Sequence, residues 1–288
     1  LYVAREKGFF KALGLDLDAR TFSGNQQSTL AFAGGKLDGL ADITSSAADL
    51  ASKGKDFRVV MVVDRSVGAD GILARNTIAS VADIKGKKVA LEEGTVSHYF
   101  FLQVLAEAGL TGKDITLINT TPADAAAAYQ SGAVEVAVTY APFLGKANQV
   151  RKDGRTIYDS SRMPYAVTDL YEFDTKFIES QPQTVQAFVA GILQGLDYIK
   201  ANPEEGNVIL AKQMKIKPEE AADYLKGIQL ADLETNIDML TNSGSPGYLP
   251  KAFESISQFL LAQGQIKTIP DSVKIIEPKF ILAARNSA

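Results

Sequence analysis

The stretch "EEGTVSHYF", residues 92 to 100, holds the chain's only histidine beside a serine, just after the strand-like run "KKVAL". Three chemistries could use it: a nucleophile with its base, a metal site, or a cradle for a bound ligand. Ser97 and His98 are adjacent in sequence. Neighbours on a helix point roughly 100 degrees apart, so this pair cannot make the hydrogen bond that activates a nucleophile. No G-x-S-x-G elbow occurs, and "GSPG" at 244 to 247 has neither its spacing nor a strand before it. With one histidine and no cysteine, only carboxylates remain for a metal, and neither a D-x-D-x-D-G loop nor a histidine-carboxylate cluster is present. No metal is expected. Neither G-x-x-x-x-G-K-[ST] nor G-x-G-x-x-G after a strand is found, so no cofactor is expected either.

What remains is binding through donors. In open α/β lobes, ligands sit beyond the carboxyl ends of strands, where helix N-termini present unpaired N–H groups with partial positive charge. Three loops have that setting: "TSSAAD" after "DGLADI", "EGTVSH" after "KKVAL", and "YAPF" after "VEVAV". Ser45 and Ser46 supply hydroxyls in the first; Gly94 lets the backbone come close in the second, where Thr95 and Ser97 add donors. A serine or threonine before a helix is ordinarily just an N-cap, so the signal lies in the convergence of three loops on one cleft.

Aromatic residues near these loops are Phe22, His98, Tyr99, Tyr140, Phe143, Tyr165 and Tyr171, about half of which are expected to face the cleft and the others the core. Asp64, Asp70 and Glu93 could hold an ammonium group; the bland alternative for "DRSVGADG" is a solvated turn.

These residues need elements to position them. A chain of 288 residues exceeds one hydrophobic core and implies two lobes. Composition is that of a globular protein, with 46% apolar and 22% charged residues. A net charge of -4 with only short basic clusters speaks against nucleic acid. The absence of cysteine is compatible with an oxidising compartment, and no apolar run reaches the roughly 18 residues of a membrane span. Residues 1 to 75 read as helices alternating with the strands "LDLDARTF", "DGLADI", "FRVVMVVD" and "DGILAR", which predicts a mostly parallel sheet. A second α/β series starts at "KVALEE", and strongly periodic helices follow "YAVTDLYEF", including "KPEEAADYLKGIQL". Hinge crossings are expected near 75 to 88 and 160 to 170, which makes 1–77 with 168–288 one lobe and 78–167 an inserted second. Because the chain opens directly on an amphipathic helix, a preceding first strand is expected to be missing.

"LYVAREKGFFKALGLDLD", "SGNQQSTLAFAGGKLDGLADITSSAADL", "IASVADIKGKKVALEEGTVSHYFFLQVLAEAGL", "AAYQSGAVEVAVTYAPF" and "FIESQPQTVQAFVAGILQGLDYIKANPEE" occur in order along nearly the whole chain. The set resembles the extracytoplasmic solute-binding proteins of ABC importers in the nitrate/sulfonate/taurine and thiamine-precursor group. That resemblance implies an α/β, bilobal periplasmic-binding-protein type II fold, with two Rossmann-like lobes joined by two hinge strands. It further implies a monomer, periplasmic or lipid-anchored, that closes on one small-molecule ligand and delivers it to the transmembrane subunits of an ABC permease. By the same resemblance Ser45, Ser46, Thr95, Val96, Ser97 and His98 become ligand contacts, with Tyr140 as a wall or hydroxyl donor. Sulfonate-type anions or a taurine-like zwitterion suit these donors, whereas Asp64, Glu93 and the aromatic Phe22 would suit a cationic or heterocyclic ligand such as a thiamine-precursor pyrimidine. The rivals are a pyrimidine-precursor enzyme and a ligand-sensing domain on the same fold.

Overall fold

Residues 1–285 are described by the structure, a computed structural model. The opening third carries α1 (Tyr2–Glu6), α2 (Phe9–Ala12), α3 (Asn25–Ala33), β1 (Gly39–Ile43), α4 (Thr44–Ser52) and β2 (Phe57–Ser66). The middle carries β3 (Asp70–Arg75), β4 (Lys88–Leu91), α5 (Val96–Glu107), β5 (Thr116–Asn119), α6 (Pro122–Ser131), β6 (Val136–Tyr140), α7 (Phe143–Val150) and β7 (Gly154–Asp159). The chain then returns through β8 (Thr168–Asp174) into α8 (Thr175–Ser180), α9 (Pro182–Ala201), α10 (Pro203–Met214) and α11 (Pro218–Lys226). Last come β9 (Ile228–Leu230), α12 (Leu233–Thr241), α13 (Leu249–Ala262), α14 (Ser272–Ile275) and α15 (Lys279–Arg285).

Two separate sheets result, ordered β1-β8-β2-β9 and β5-β4-β6-β3-β7. The bilobal α/β fold is therefore present, with two corrections to its expected anatomy. Asp70–Arg75 pairs with β6 and β7, so this strand belongs to the second sheet rather than to the first lobe. The first crossing accordingly runs through Val67–Ala69, where Gly68 takes φ 125, and not through 75 to 88. The expected parallel character also fails for the first sheet. β8 inserts between β1 and β2 and runs antiparallel to both. Among the named strands of the described residues, parallel pairing survives only in the second sheet, where β4 lies between β5 and β6.

Two further expectations need correction. "LDLDARTF" forms no strand; Leu15, Leu17 and Ala19 alternate as half-buried residues, and the segment lines, together with β1, a cavity of about 540 Å³. Ile228–Leu230 is an edge strand against β2, not the end of a helix, because Gly227 packs on the backbone of Ala69 and redirects the chain.

Local sequence explains where several helices start and stop. α6 starts at Thr121, whose hydroxyl accepts from Asp124 N–H, has Pro122 at its first position, and stops at Gly132 with φ 83. α13 buries Phe253, Ile256 and Leu260 at helical spacing. Side chains of this size contribute about 1.5–3 kcal/mol each when taken fully out of water. The first core centres on β2, β8, α9 and α13, yet it also takes in Tyr99 and Leu102 of α5. The two halves are therefore packed together.

Asn236 ties the sheet to its helices. Its side chain accepts from Val62 N–H at 2.7 Å and donates to the carbonyls of Val62 at 3.0 Å and Ala231 at 3.1 Å, with no solvent exposure. At the crossings, Ser160 Oγ lies 2.8 Å from the donating Gly68 N–H and 2.6 Å from Ser66 Oγ. Among the described residues no helix is long and apolar enough to cross a membrane.

Candidate ligand-binding cleft

α4 begins at Thr44 directly after β1, and α5 begins at Val96 after the short loop 92–95 that follows β4. Neither helix has a side-chain cap, although both flanking residues are extended and Gly94 sits at φ 72. The two helices come from different sheets and touch. Burial, with the Asp49 carboxylate of α4 nearby, raises the Tyr99 phenol of α5. Beside this contact Ser45 and Ser97 are each 1% exposed, and their hydroxyl oxygens have no hydrogen-bond partner. A buried hydroxyl without a partner costs free energy, and a site built to bind supplies that partner from the ligand.

The neighbouring residues of these loops divide by role. Ser46 holds its hydroxyl against Asp42, and Thr95 donates to the Glu92 carbonyl at 2.8 Å. The Val96 side chain packs in the second core, leaving only its backbone for a ligand. His98 accepts the Gly94 N–H on Nδ1 at 3.2 Å, and burial lowers its basicity. It lines a separate cavity of about 410 Å³ with Glu93 and Thr111.

Tyr140 ends β6; burial raises its phenol, whose oxygen meets the side chain of Asn25 on α3. Phe22 lines the cavity beside β1 instead of meeting these loops. Tyr171 packs edge-on against Phe188 at 5.0 Å, a core contact. Tyr165 receives the Arg65 guanidinium over its ring at 4.2 Å.

Carboxylates collect where the two crossings meet. Asp64 and Asp70 flank the first crossing and are buried, and Asp169 lies opposite Asp64 on β8. Burial raises Asp64 to about 7 and Asp70 to about 6, and it raises Asp169 as well. None of the three forms an ion pair among the described residues. The Tyr224 phenol faces all three and is itself raised by burial. Asp169 and Tyr224 were not foreseen, because nothing local marks a residue that only strand register and a distant helix bring to the crossings.

Glutamates 92 and 93 behave oppositely. Glu93 is exposed, and its N–H donates to Asn119 at 2.9 Å. Glu92 is 5% exposed and accepts from Asn25 N–H and Gln26 N–H, both at 3.1 Å. Two-residue alternation at a strand end puts one acid outside and one inside, and sequence cannot say which.

Two α/β bodies, two crossings and helix N-termini converging from both sides define the periplasmic-binding-protein fold. The alkanesulfonate-binding protein SsuA from Xanthomonas axonopodis pv. citri, solved with MOPS, superposes with TM-score 0.80 at 18% identity, covering 96% of this chain and 93% of that one. SsuA from Escherichia coli, an aliphatic sulphonate binding protein, gives 0.77 at 22%, covering 96% and 88%. By sequence, the taurine-binding periplasmic protein of Escherichia coli (strain K12) is 24% identical over 284 residues, 95% of this chain and 86% of that protein. The family model described as "NMT1/THI5 like" matches residues 1–206. The chain belongs to that family.

Proposed function

We propose that this protein is a non-enzymatic, extracytoplasmic solute-binding component of an ABC importer, working as a monomer and passing its solute to the permease subunits. The solute is a small polar organic molecule with an anionic group, a sulfonate or a taurine-like zwitterion. The observation that carries this reading is the pair of buried, partnerless hydroxyls of Ser45 and Ser97 on two uncapped helix N-termini from opposite sheets. A ligand touching both favours the closed arrangement by its differential affinity. Ser46, Thr95, Val96 through its N–H, and Tyr140 complete the surroundings. The names of the taurine- and sulfonate-binding relatives support the same class.

The reading against catalysis rests on chemistry. A fold relative is the desulfurization enzyme DSZB, solved as a cysteine-to-serine variant with biphenyl-2-sulfinic acid, at TM-score 0.70 and 16% identity. This chain has no cysteine.

A second reading, a cationic or heterocyclic solute, is favoured by Asp64, Asp70 and Asp169, which burial raises and which form no ion pair among the described residues. One experiment separates the two. Protein unfolded and refolded to strip ligand is melted with sulfonates, taurine, nitrate, aminopyrimidines and small amines. A true ligand at about 100 times its Kd adds about 2.7 kcal/mol. A rise with sulfonates or taurine supports the anion cradle; a rise only with amines or aminopyrimidines moves the site to the carboxyls.

A further inference from the structure

We propose that Glu92 is a specificity-determining residue that acts as a built-in anion: it holds the N-terminus of α3, clamps the two lobes together and bars a second anionic group from the cleft. The inference rests on the anion-cradle reading of α4 and α5.

α3 has no cap of its own, since Gly24 stands at its N-cap position. Its first two amides, those of Asn25 and Gln26, donate instead to the two carboxylate oxygens of Glu92, at 3.1 Å each. Glu92 follows β4, so this cap comes from the other sheet. A helix N-terminus carries partial positive charge and attracts an anion whatever its source. Here the protein supplies the anion itself.

Three features show that the fold is built around this contact. A Cβ at Gly24 would meet Glu92 Oε1, so glycine there lets the carboxylate sit against the helix start without being pushed aside. Thr95 Oγ1 donates to the Glu92 carbonyl at 2.8 Å, which ties the clamp to the N-cap of α5, the helix carrying Ser97. Asn25, the first clamped residue, also meets the Tyr140 phenol from the second sheet. Clamp and cradle therefore share one short loop.

The consequence for selectivity is electrostatic. A solute with one anionic group finds free donors at α4 and α5. A solute with two finds the α3 donors already taken and a carboxylate standing where its second charge would go. Like charges so placed repel, and discrimination of this kind comes from repulsion as much as from attraction.

The test uses the full chain with Glu92→Ala, Glu92→Asp and Gly24→Ala, the last displacing the carboxylate while keeping its charge. Methanesulfonate and 1,2-ethanedisulfonate are titrated calorimetrically, and ligand-free samples are measured by small-angle X-ray scattering. The wild type is expected to bind the monosulfonate at least about tenfold more tightly than the disulfonate. Glu92→Ala should abolish that preference, and Glu92→Asp should keep it. Ligand-free Glu92→Ala and Gly24→Ala should both show a larger radius of gyration than wild type. The inference is overturned if the preference survives in Glu92→Ala, or if scattering is identical in all variants. If the wild type binds neither sulfonate, the cradle reading falls, and scattering decides the clamp: an unchanged radius removes it and an enlarged one upholds it.

Discussion

Asp64 and Asp169 lie directly opposite each other on antiparallel β2 and β8, beside the first crossing, and burial raises both carboxyls. Two carboxylates cannot both be charged at that distance without strong repulsion, so the pair retains a proton.

Stability should accordingly depend on pH in an unusual direction. Burial lifts Asp64 to about 7 and Asp70 to about 6 from an ordinary 3.8. Between about pH 4 and pH 7 the folded protein then holds more protons than the unfolded chain, so stability falls as pH rises through that window and is retained below it. Calorimetric melting should give a higher Tm at about pH 5 than at about pH 8, and Asp64→Asn should shrink the difference. A Tm that rises from pH 5 to pH 8 would show these acids to be ionised at no cost.

Removing an unpartnered hydroxyl should separate binding from folding. Ser97→Ala loses no internal hydrogen bond, because Ser97 Oγ has none. Its stability should stay within about 0.5 kcal/mol of wild type. Affinity for an anionic solute should fall by roughly tenfold, the worth of one hydrogen bond to a charged group. Ser45→Ala should behave alike. Titration calorimetry beside a thermal melt measures both, and an unchanged affinity would take the hydroxyl out of the site.

The crossings offer the opposite case. Ser160 Oγ serves Ser66 Oγ and the Gly68 N–H, with no exposure. Ser160→Ala should therefore cost about 1–3 kcal/mol by leaving buried donors unpaired. Urea unfolding should show a lower midpoint with an unchanged slope.

Asn236→Ala should be the more damaging change, by about 3 kcal/mol or more, because it strips both the N–H and the C=O of Val62 in the sheet interior. A small loss in equilibrium unfolding would mean that water replaces the amide.

How much of this was legible depends on range. α6, α9 and α13 could be placed from apolar spacing and proline starts, because a helix is specified by residues three and four apart. The loops at Ser45 and Ser97 could be marked because several strand-to-helix loops carry hydroxyl donors, a combination more telling than any one of them. Strand membership was harder. "DGILAR" reads the same in either sheet, and its partners β6 and β7 lie more than sixty residues away. "LDLDARTF" has strand alternation yet forms no strand here, since pairing depends on a neighbour and not on pattern alone.

The sequence by itself determined the α/β class and the helix starts that follow β1 and β4, since these follow from periodicity and local turn chemistry, and its length implied two bodies. Tertiary structure alone decided which acid of "EE" turns inward, that Asp169 and Tyr224 join Asp64 and Asp70, and that Ser45 and Ser97 lack partners. The physical reason is that charge and hydrogen-bond satisfaction depend on register and packing across the chain. Residues far apart in sequence set them.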